Sequence, residues 1–160
     1  MSTPLEEFFA QYPNFDYHSA SPATSEFRRL SRSQKWGGQH NEEREAAHSE
    51  FRTALVRQFN HLYGTDANDL EAWKYICEMV RIDPIPKTVS AAKKAMRDTH
   101  VNLIDLIGAP NGGDMEIFAS EKELSEYTRE TRRFFPKEAL EAGNLLKSLR
   151  RQIFRPRGRS

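Results

Sequence analysis

The side chains that could do chemistry are few and stand far apart. His18, His40, His48, His61 and His100 lack the short pair spacings that place two imidazoles on one metal ion. Cys77 is the only cysteine and falls in the apolar helical pattern Trp73, Ile76, Cys77, Val80, where a buried thiol is inert rather than nucleophilic. Glu42, Glu43, Glu45 and Glu50 cluster early in a long helical stretch. Carboxylates there meet the positive end of the helix dipole, and a polar face denies them the dry pocket that acid and base catalysis needs. The chain has no Gly-x-Ser-x-Gly elbow, no Gly-x-x-x-x-Gly-Lys phosphate loop and no Gly-x-Gly-x-x-Gly fingerprint. Gly108 to Gly113 comes nearest, but the element after it reads as a strand, so no helix N-terminus follows to hold a phosphate and a hairpin turn is expected. The expectation is a protein with no catalytic residue, no metal and no cofactor. Catalysis ranks third among the readings, because a helical chain can still bring distant residues to one pocket.

Two polar residues sit where polarity is costly. Asp105 lies inside Leu103-Ile104-Asp105-Leu106-Ile107, and a carboxylate there needs an ion pair or backbone amides to be tolerated. Asn102 is expected to bond neighbouring backbone in the same way.

Charge is unevenly spread. The formal net charge is +1, yet Arg129 to Ser160 holds ten Lys or Arg against three Glu, so that end carries +7 and the first 128 residues carry −6. Lys87, Lys93, Lys94 and Arg97 add a basic helical face in mid-chain, and Arg150, Arg151, Arg155, Arg157 and Arg159 make a basic end. Such groups could meet a phosphate backbone, or simply form the wet face of an amphipathic helix and a solubilising tail.

The elements that would position these groups are mostly helices. Thr3-Pro4-Leu5-Glu6 offers a hydroxyl cap, a proline at the first helical position and a capping-box glutamate, for a helix to about Gln11. Five rings, Phe8, Phe9, Tyr12, Phe15 and Tyr17, follow as a strap across a core. A second helix starts at Ser21-Pro22 and runs to about Lys35, with Phe27, Leu30 and Trp36 as anchors, Arg28, Arg29, Arg32 and Lys35 in water, and Gly37-Gly38 as its end. Asn41 opens the longest helix, whose stripe is Ala47, Phe51, Leu55, Phe59 and Leu62, and Gly64 stops it. Thr65 or Asp66 caps the helix carrying Leu70 to Val80, Asp83-Pro84-Ile85-Pro86 breaks it, and Thr88 caps another to about Thr99. Val101 to Ile107 then reads as a strand covered on both faces, paired through Asn111-Gly112-Gly113-Asp114 with Met115 to Phe118. Ser120 and Glu123 box a helix to about Phe135, and Leu140, Leu145, Leu146, Leu149 and Ile153 stripe the last.

The fold class expected is mainly α with a small β-hairpin, a single compact multi-helix domain over 1–154 that is winged-helix-like in the middle, followed by a flexible basic tail over 155–160. A chain of 160 residues can bury roughly two thirds of its unfolded surface and needs no disulfide or metal to fold. A mean hydropathy of −0.76 and 38% hydrophobic residues describe a polar globular chain. A lone cysteine, an acidic Met1 to Tyr12 without a leader's basic and apolar regions, and no apolar run near the ~20 residues of a membrane span point to an intracellular protein, cytoplasmic or nuclear, with no membrane partner.

Several segments carry a family resemblance: 8–17 (Phe8-Phe9-Ala10-Gln11-Tyr12-Pro13-Asn14-Phe15-Asp16-Tyr17), Ser25-Glu26-Phe27-Arg28-Arg29-Leu30, His100 to Ile107, and Phe134-Phe135-Pro136-Lys137 with Gly143 to Phe154. In these the chain resembles a family of uncharacterised proteins widespread in fungi. The resemblance implies a fungal setting and no mechanism, and Arg132-Arg133-Phe134-Phe135 departs slightly from the family's wording.

Two functions from different classes follow. The first is a non-enzymatic protein-interaction, scaffold or regulatory module, contacting a protein partner or a second copy through the aromatic residues Phe8, Phe9, Tyr12, Phe15, Tyr17 and Trp36. The alternative is a nucleic-acid-binding regulatory protein that uses a helix-turn-helix-like pair over 70–99, with Lys87, Lys93, Lys94 and Arg97 on phosphate and the basic end in support. Its wing loop has no lysine or arginine, and Asp114 there would repel phosphate.

Overall fold

Caps written in the sequence set most element boundaries. The computed structural model describes residues 2–37, 41–137 and 141–154. Helix α1 (Pro4–Ala10) opens on the expected capping box: the Glu6 amide donates to Thr3 Oγ1 at 3.2 Å and the Thr3 amide to Glu6 Oε1 at 3.1 Å. Helix α2 (Ala23–Ser33) follows the aromatic strap, and α3 (Glu42–Tyr63) is capped by Asn41, which accepts from the Arg44 amide at 3.0 Å. Gly64, at φ 98°, ends α3 in a conformation that side chains with a Cβ avoid. Helix α4 (Leu70–Met79) is capped by Asp69 rather than by Thr65 or Asp66, because residues 66–69 form a turn that Asp66 stabilises by accepting from the Asn68 amide at 2.8 Å. Helix α5 (Val89–Arg97) is capped by Thr88, α7 (Glu121–Thr131) by Ser120, and α8 (Asn144–Ile153) closes the described chain.

The segment expected to be one long strand is mostly helix. Strand β1 covers only His100–Val101 and pairs antiparallel with β2 (Ile117–Phe118), His100 opposite Phe118 and Val101 opposite Ile117. Asn102 then acts as an N-cap, its Oδ1 accepting from the amides of Ile104 at 2.9 Å and Asp105 at 3.2 Å, and Leu103–Gly108 winds into α6. The expectation of burial was right: residues 101–107 are all buried. A short apolar run enclosed on every side has neither period, so only the cap separates a buried helix from a buried strand. A 3-10 turn (Ala109–Asn111) with Gly112 at φ 86° completes the connection. The hairpin turn expected at 111–114 is therefore the far end of a helical excursion, and the chain lacks the tight wing of a winged helix. The stretch 80–88 between α4 and α5 is also longer than the ~3–4-residue turn of a helix-turn-helix.

The described residues are mainly helical, with eight α-helices, one two-stranded sheet and one hydrophobic core. Leu30, Phe59, Trp73, Ile76, Met96, Leu106, Leu145 and Leu149 lie fully inside it. Two polar groups at its edge are satisfied by backbone: Tyr63 Oη donates to the Leu106 carbonyl at 2.7 Å and Trp73 Nε1 to that of Ala67 at 2.8 Å. No helix among the described residues is long and apolar enough to cross a membrane. Leu140, Gly38 and the tail over 155–160 lie outside the described residues.

Candidate functional site: a basic groove with an aromatic floor

The aromatic residues expected to form a contact surface pack against the core. Phe8, Phe9 and Trp36 are buried, and Tyr12, Phe15 and Tyr17 are half-buried against the core. Phe9 stacks on Tyr17 at 4.3 Å between centroids, the Arg29 guanidinium lies 4.3 Å from the Phe15 ring centre, and Trp36 Nε1 donates to Glu43 Oε2 at 3.1 Å. Short helix α1 can bury little area by itself, so its rings serve as its anchor on α3.

The basic residues of the nucleic-acid reading are scattered. Lys87 is exposed in the loop before α5, and on α5, which packs against α4 and α8, Lys94 and Arg97 are exposed and Lys93 is half-buried. Arg97 Nε donates to Gln152 Oε1 at 2.9 Å, which ties it to α8. Arg151 is exposed, Arg150 is half-buried and donates to the Pro136 carbonyl, and Arg155, Arg157 and Arg159 lie outside the described residues.

The remaining reactive groups are structural. Cys77 is fully buried and its thiol is pushed up to about 11 by burial, so it stays protonated at neutral pH. His100 is buried with Nδ1 3.1 Å from the Ile153 carbonyl. Among the described residues no group of three or more His, Cys, Asp or Glu could hold a metal ion.

What the fold does bring together is a hollow of about 460 Å³ where α2, α3 and the strip 132–137 meet. Helix α2 supplies Thr24, Phe27 and Arg28, α3 supplies Arg44, His48, Phe51, Arg52 and Leu55, and the strip supplies Arg132, Phe134, Phe135, Pro136 and Lys137. Phe27 and Phe51 stack at 4.7 Å as its floor, and the His48 ring stands edge-on to Phe27 at 5.3 Å. No aspartate or glutamate among the described residues lines the hollow. None of Arg28, Arg44, Arg52, Arg132 and Lys137 forms an ion pair within the described residues.

The electrostatic cost of that arrangement is visible in its members. Burial, then the charges of Arg132, Arg32 and Arg133, push the Arg28 guanidinium below its ordinary value. Burial on the aromatic floor, then Arg44 and Arg52, hold the His48 imidazole below its usual range. Thr24 Oγ1 is buried in this lining without a hydrogen-bond partner among the described residues. An unmade hydrogen bond of this kind costs about 1–3 kcal/mol.

The strip is held rigid from behind. Arg133 donates to Asp105 Oδ1 at 2.9 Å, Tyr127 Oη donates to Asp105 Oδ2 at 2.5 Å, and Arg133 also contacts the Tyr127 hydroxyl. Asn102 Nδ2 donates to the Arg133 carbonyl at 2.9 Å and to Thr128 Oγ1 at 3.1 Å, so one amide caps α6 and pins the strip. Asp105 and Asn102 thus have the partners their burial demanded. The chain leaves α7 through Arg132 in the left-handed region (φ 58°), which ends that helix at Thr131 rather than near Phe135.

A second hollow, of about 280 Å³, lies on the other side of the same strip and shares Phe134, Phe135 and Lys137 with the first. Leu103, Leu124 and Phe154 give it an apolar wall. Phe134, 56% exposed, and Phe154, 40% exposed, are two of the few large apolar side chains left in water.

Of the groove cations the sequence reading positions only Arg28, as a residue facing water, while Phe27, Phe51 and Leu55 are read as core. The signal was present in the spacing: Arg44, His48 and Arg52 recur every four residues on one face of α3, and Thr24 and Arg28 do so on α2. That the two faces meet over Phe27 and Phe51 is tertiary information. Searches of family models, of curated proteins and of solved structures find no match to this chain.

Proposed function

We propose that this protein is a non-enzymatic interaction module that docks an acidic segment of a partner protein along the basic, aromatic-floored groove. The observation that carries the reading is the gathering of Arg28, Arg44, Arg52, Arg132 and Lys137 around the exposed Phe134 ring and the buried Phe27–Phe51 stack, with no carboxylate among the described residues in the lining. Like charges held together without counter-charge destabilise the free protein, and an anionic partner relieves the repulsion. Arginine forks and aromatic faces are also the groups that dominate binding energy at protein interfaces. The groove replaces the N-terminal rings as the contact surface. An intracellular setting, cytoplasmic or nuclear, belongs to the same reading and rests on the lone cysteine.

The test is fluorescence anisotropy with acidic peptides that carry a Phe or Leu at varied spacing, titrated with the full chain over a salt series. Binding that weakens with salt and is lost in Arg28→Glu/Arg52→Glu supports the reading. Absence of binding, or equal binding by the double variant, contradicts it. A low-salt complex with duplex DNA or RNA that needs Lys93, Lys94 and Arg97 would favour the nucleic-acid alternative instead.

A further inference from the structure

Resting on that reading, we infer that the anion taken by the groove is a phosphorylated side chain, held by Thr24 Oγ1, Arg28 and Arg132. Three independent features converge on the hollow between α2 and the strip. Thr24 is 9% exposed, and its hydroxyl has no partner among the described residues although it belongs to the lining. Arg28 stands one turn further along α2 on the same side, and the only hydrogen bond of its guanidinium within the described residues is a long one, 3.3 Å, to Ser25 Oγ. Arg132 is delivered to the same hollow by the left-handed turn that ends α7, and the bonds of Asn102 and Asp105 fix the residue after it.

A hydroxyl donor and two guanidinium groups ask for an acceptor with several oxygens and more than one negative charge. A phosphomonoester carries nearly two charges and three acceptor oxygens at neutral pH, whereas a carboxylate offers two oxygens and one charge. The phosphate would sit against Thr24, with the buried Phe27 and Phe51 rings behind it, in a setting where the strength of charge-assisted bonds is less diluted by water. The source of the phosphate is a peptide segment. Phe134, Phe135 and Lys137 line both this hollow and the apolar one beside Phe154, so a peptide crossing the strip could place its phosphorylated residue in the first and an apolar anchor in the second.

The test uses the full chain and three matched peptide libraries with a fixed central phosphoserine, glutamate or serine, flanked by randomised positions. Selected sequences are then measured by calorimetry beside inorganic phosphate and a duplex oligonucleotide. The expected result is that phosphopeptides bind roughly tenfold or more tightly than their glutamate counterparts. Thr24→Val should erase most of that difference while retaining glutamate-peptide binding, and Arg28→Gln should weaken both peptides and the phosphopeptide more, each variant keeping the wild-type melting temperature within a few degrees. Equal affinity for the phosphoserine and glutamate versions, with both binding the groove, overturns the phosphate assignment and leaves the acidic-segment reading standing. No binding of either overturns both. Inorganic phosphate or the oligonucleotide binding as tightly as the best phosphopeptide overturns the peptide source. Retention of the phosphate preference in both variants overturns the residue assignment.

Discussion

Asp105 and Arg133 form a buried ion pair at 2.9 Å, with the Asp105 side chain 1% exposed and the Arg133 side chain 23% exposed. The pair joins α6 to the strip that lines both hollows, so a core carboxyl helps to anchor one wall of the groove. Removing one partner of such a pair leaves the other charge without compensation. Asp105→Ala is expected to cost about 3 kcal/mol in urea unfolding and to speed amide hydrogen exchange at 133–137. Asp105→Leu combined with Arg133→Met should recover most of that loss. A loss below about 0.5 kcal/mol would show that the strip is held by other contacts.

The same carboxyl gives a pH signature. Burial raises its pKa, against the Tyr127 hydroxyl and the Arg133 guanidinium, which lower it. A carboxyl whose folded pKa exceeds its unfolded value keeps its proton longer in the folded state. Its contribution to stability is present at low pH and is lost as pH rises through the folded value. Wild type should therefore gain stability relative to Asp105→Asn as pH falls from about 7 to about 4. A relative loss over that interval would mean that the arginine prevails over desolvation.

Arg132 separates stability from binding. A left-handed conformation costs a non-glycine residue about 1 kcal/mol, so Arg132→Gly should leave stability unchanged or raise it by about that much. The same substitution removes a groove cation and should weaken acidic-peptide binding several-fold. A variant that is destabilised, or that binds as wild type does, would remove Arg132 from the site.

His48 predicts how binding responds to pH. In the free protein its imidazole is held below the ordinary value by burial, Arg44 and Arg52, with Arg28 on α2 and Arg132 and Lys137 on the strip adding positive charge around the hollow. An anionic ligand favours the imidazolium, so its pKa rises on binding and the complex takes up protons. Acidic-peptide affinity should increase as pH falls from about 8 to about 6, and His48→Gln should flatten that slope. An unchanged slope in His48→Gln would exclude the imidazole.

Much of the framework was legible because caps are local. Thr3 with Glu6, Asn41, Thr88 and Ser120 each mark a helix start that the structure keeps. The reading failed at 101–107 because burial on every side erases the alternation by which a strand is recognised, and the weight of the Asn102 cap was missed. It failed at the site for a different reason. Arg28, Arg44 and Arg52 look like solvated helix faces until α2 and α3 are packed, and only the strip 132–137 turns those two faces into a hollow. The need of Asp105 and Asn102 for partners was readable; that the partners would come from Tyr127, Thr128 and Arg133 was not, since no local spacing links them.

The central claim is tested most directly by titrating isotope-labelled full chain with an acidic, aromatic-containing peptide while following its amide resonances. The groove account predicts shifts confined to Thr24, Arg28, Arg44, His48, Arg52 and 132–137, all reversed by salt. Shifts centred on Lys93, Lys94, Arg97 and the basic end, or none at saturating peptide, would contradict it.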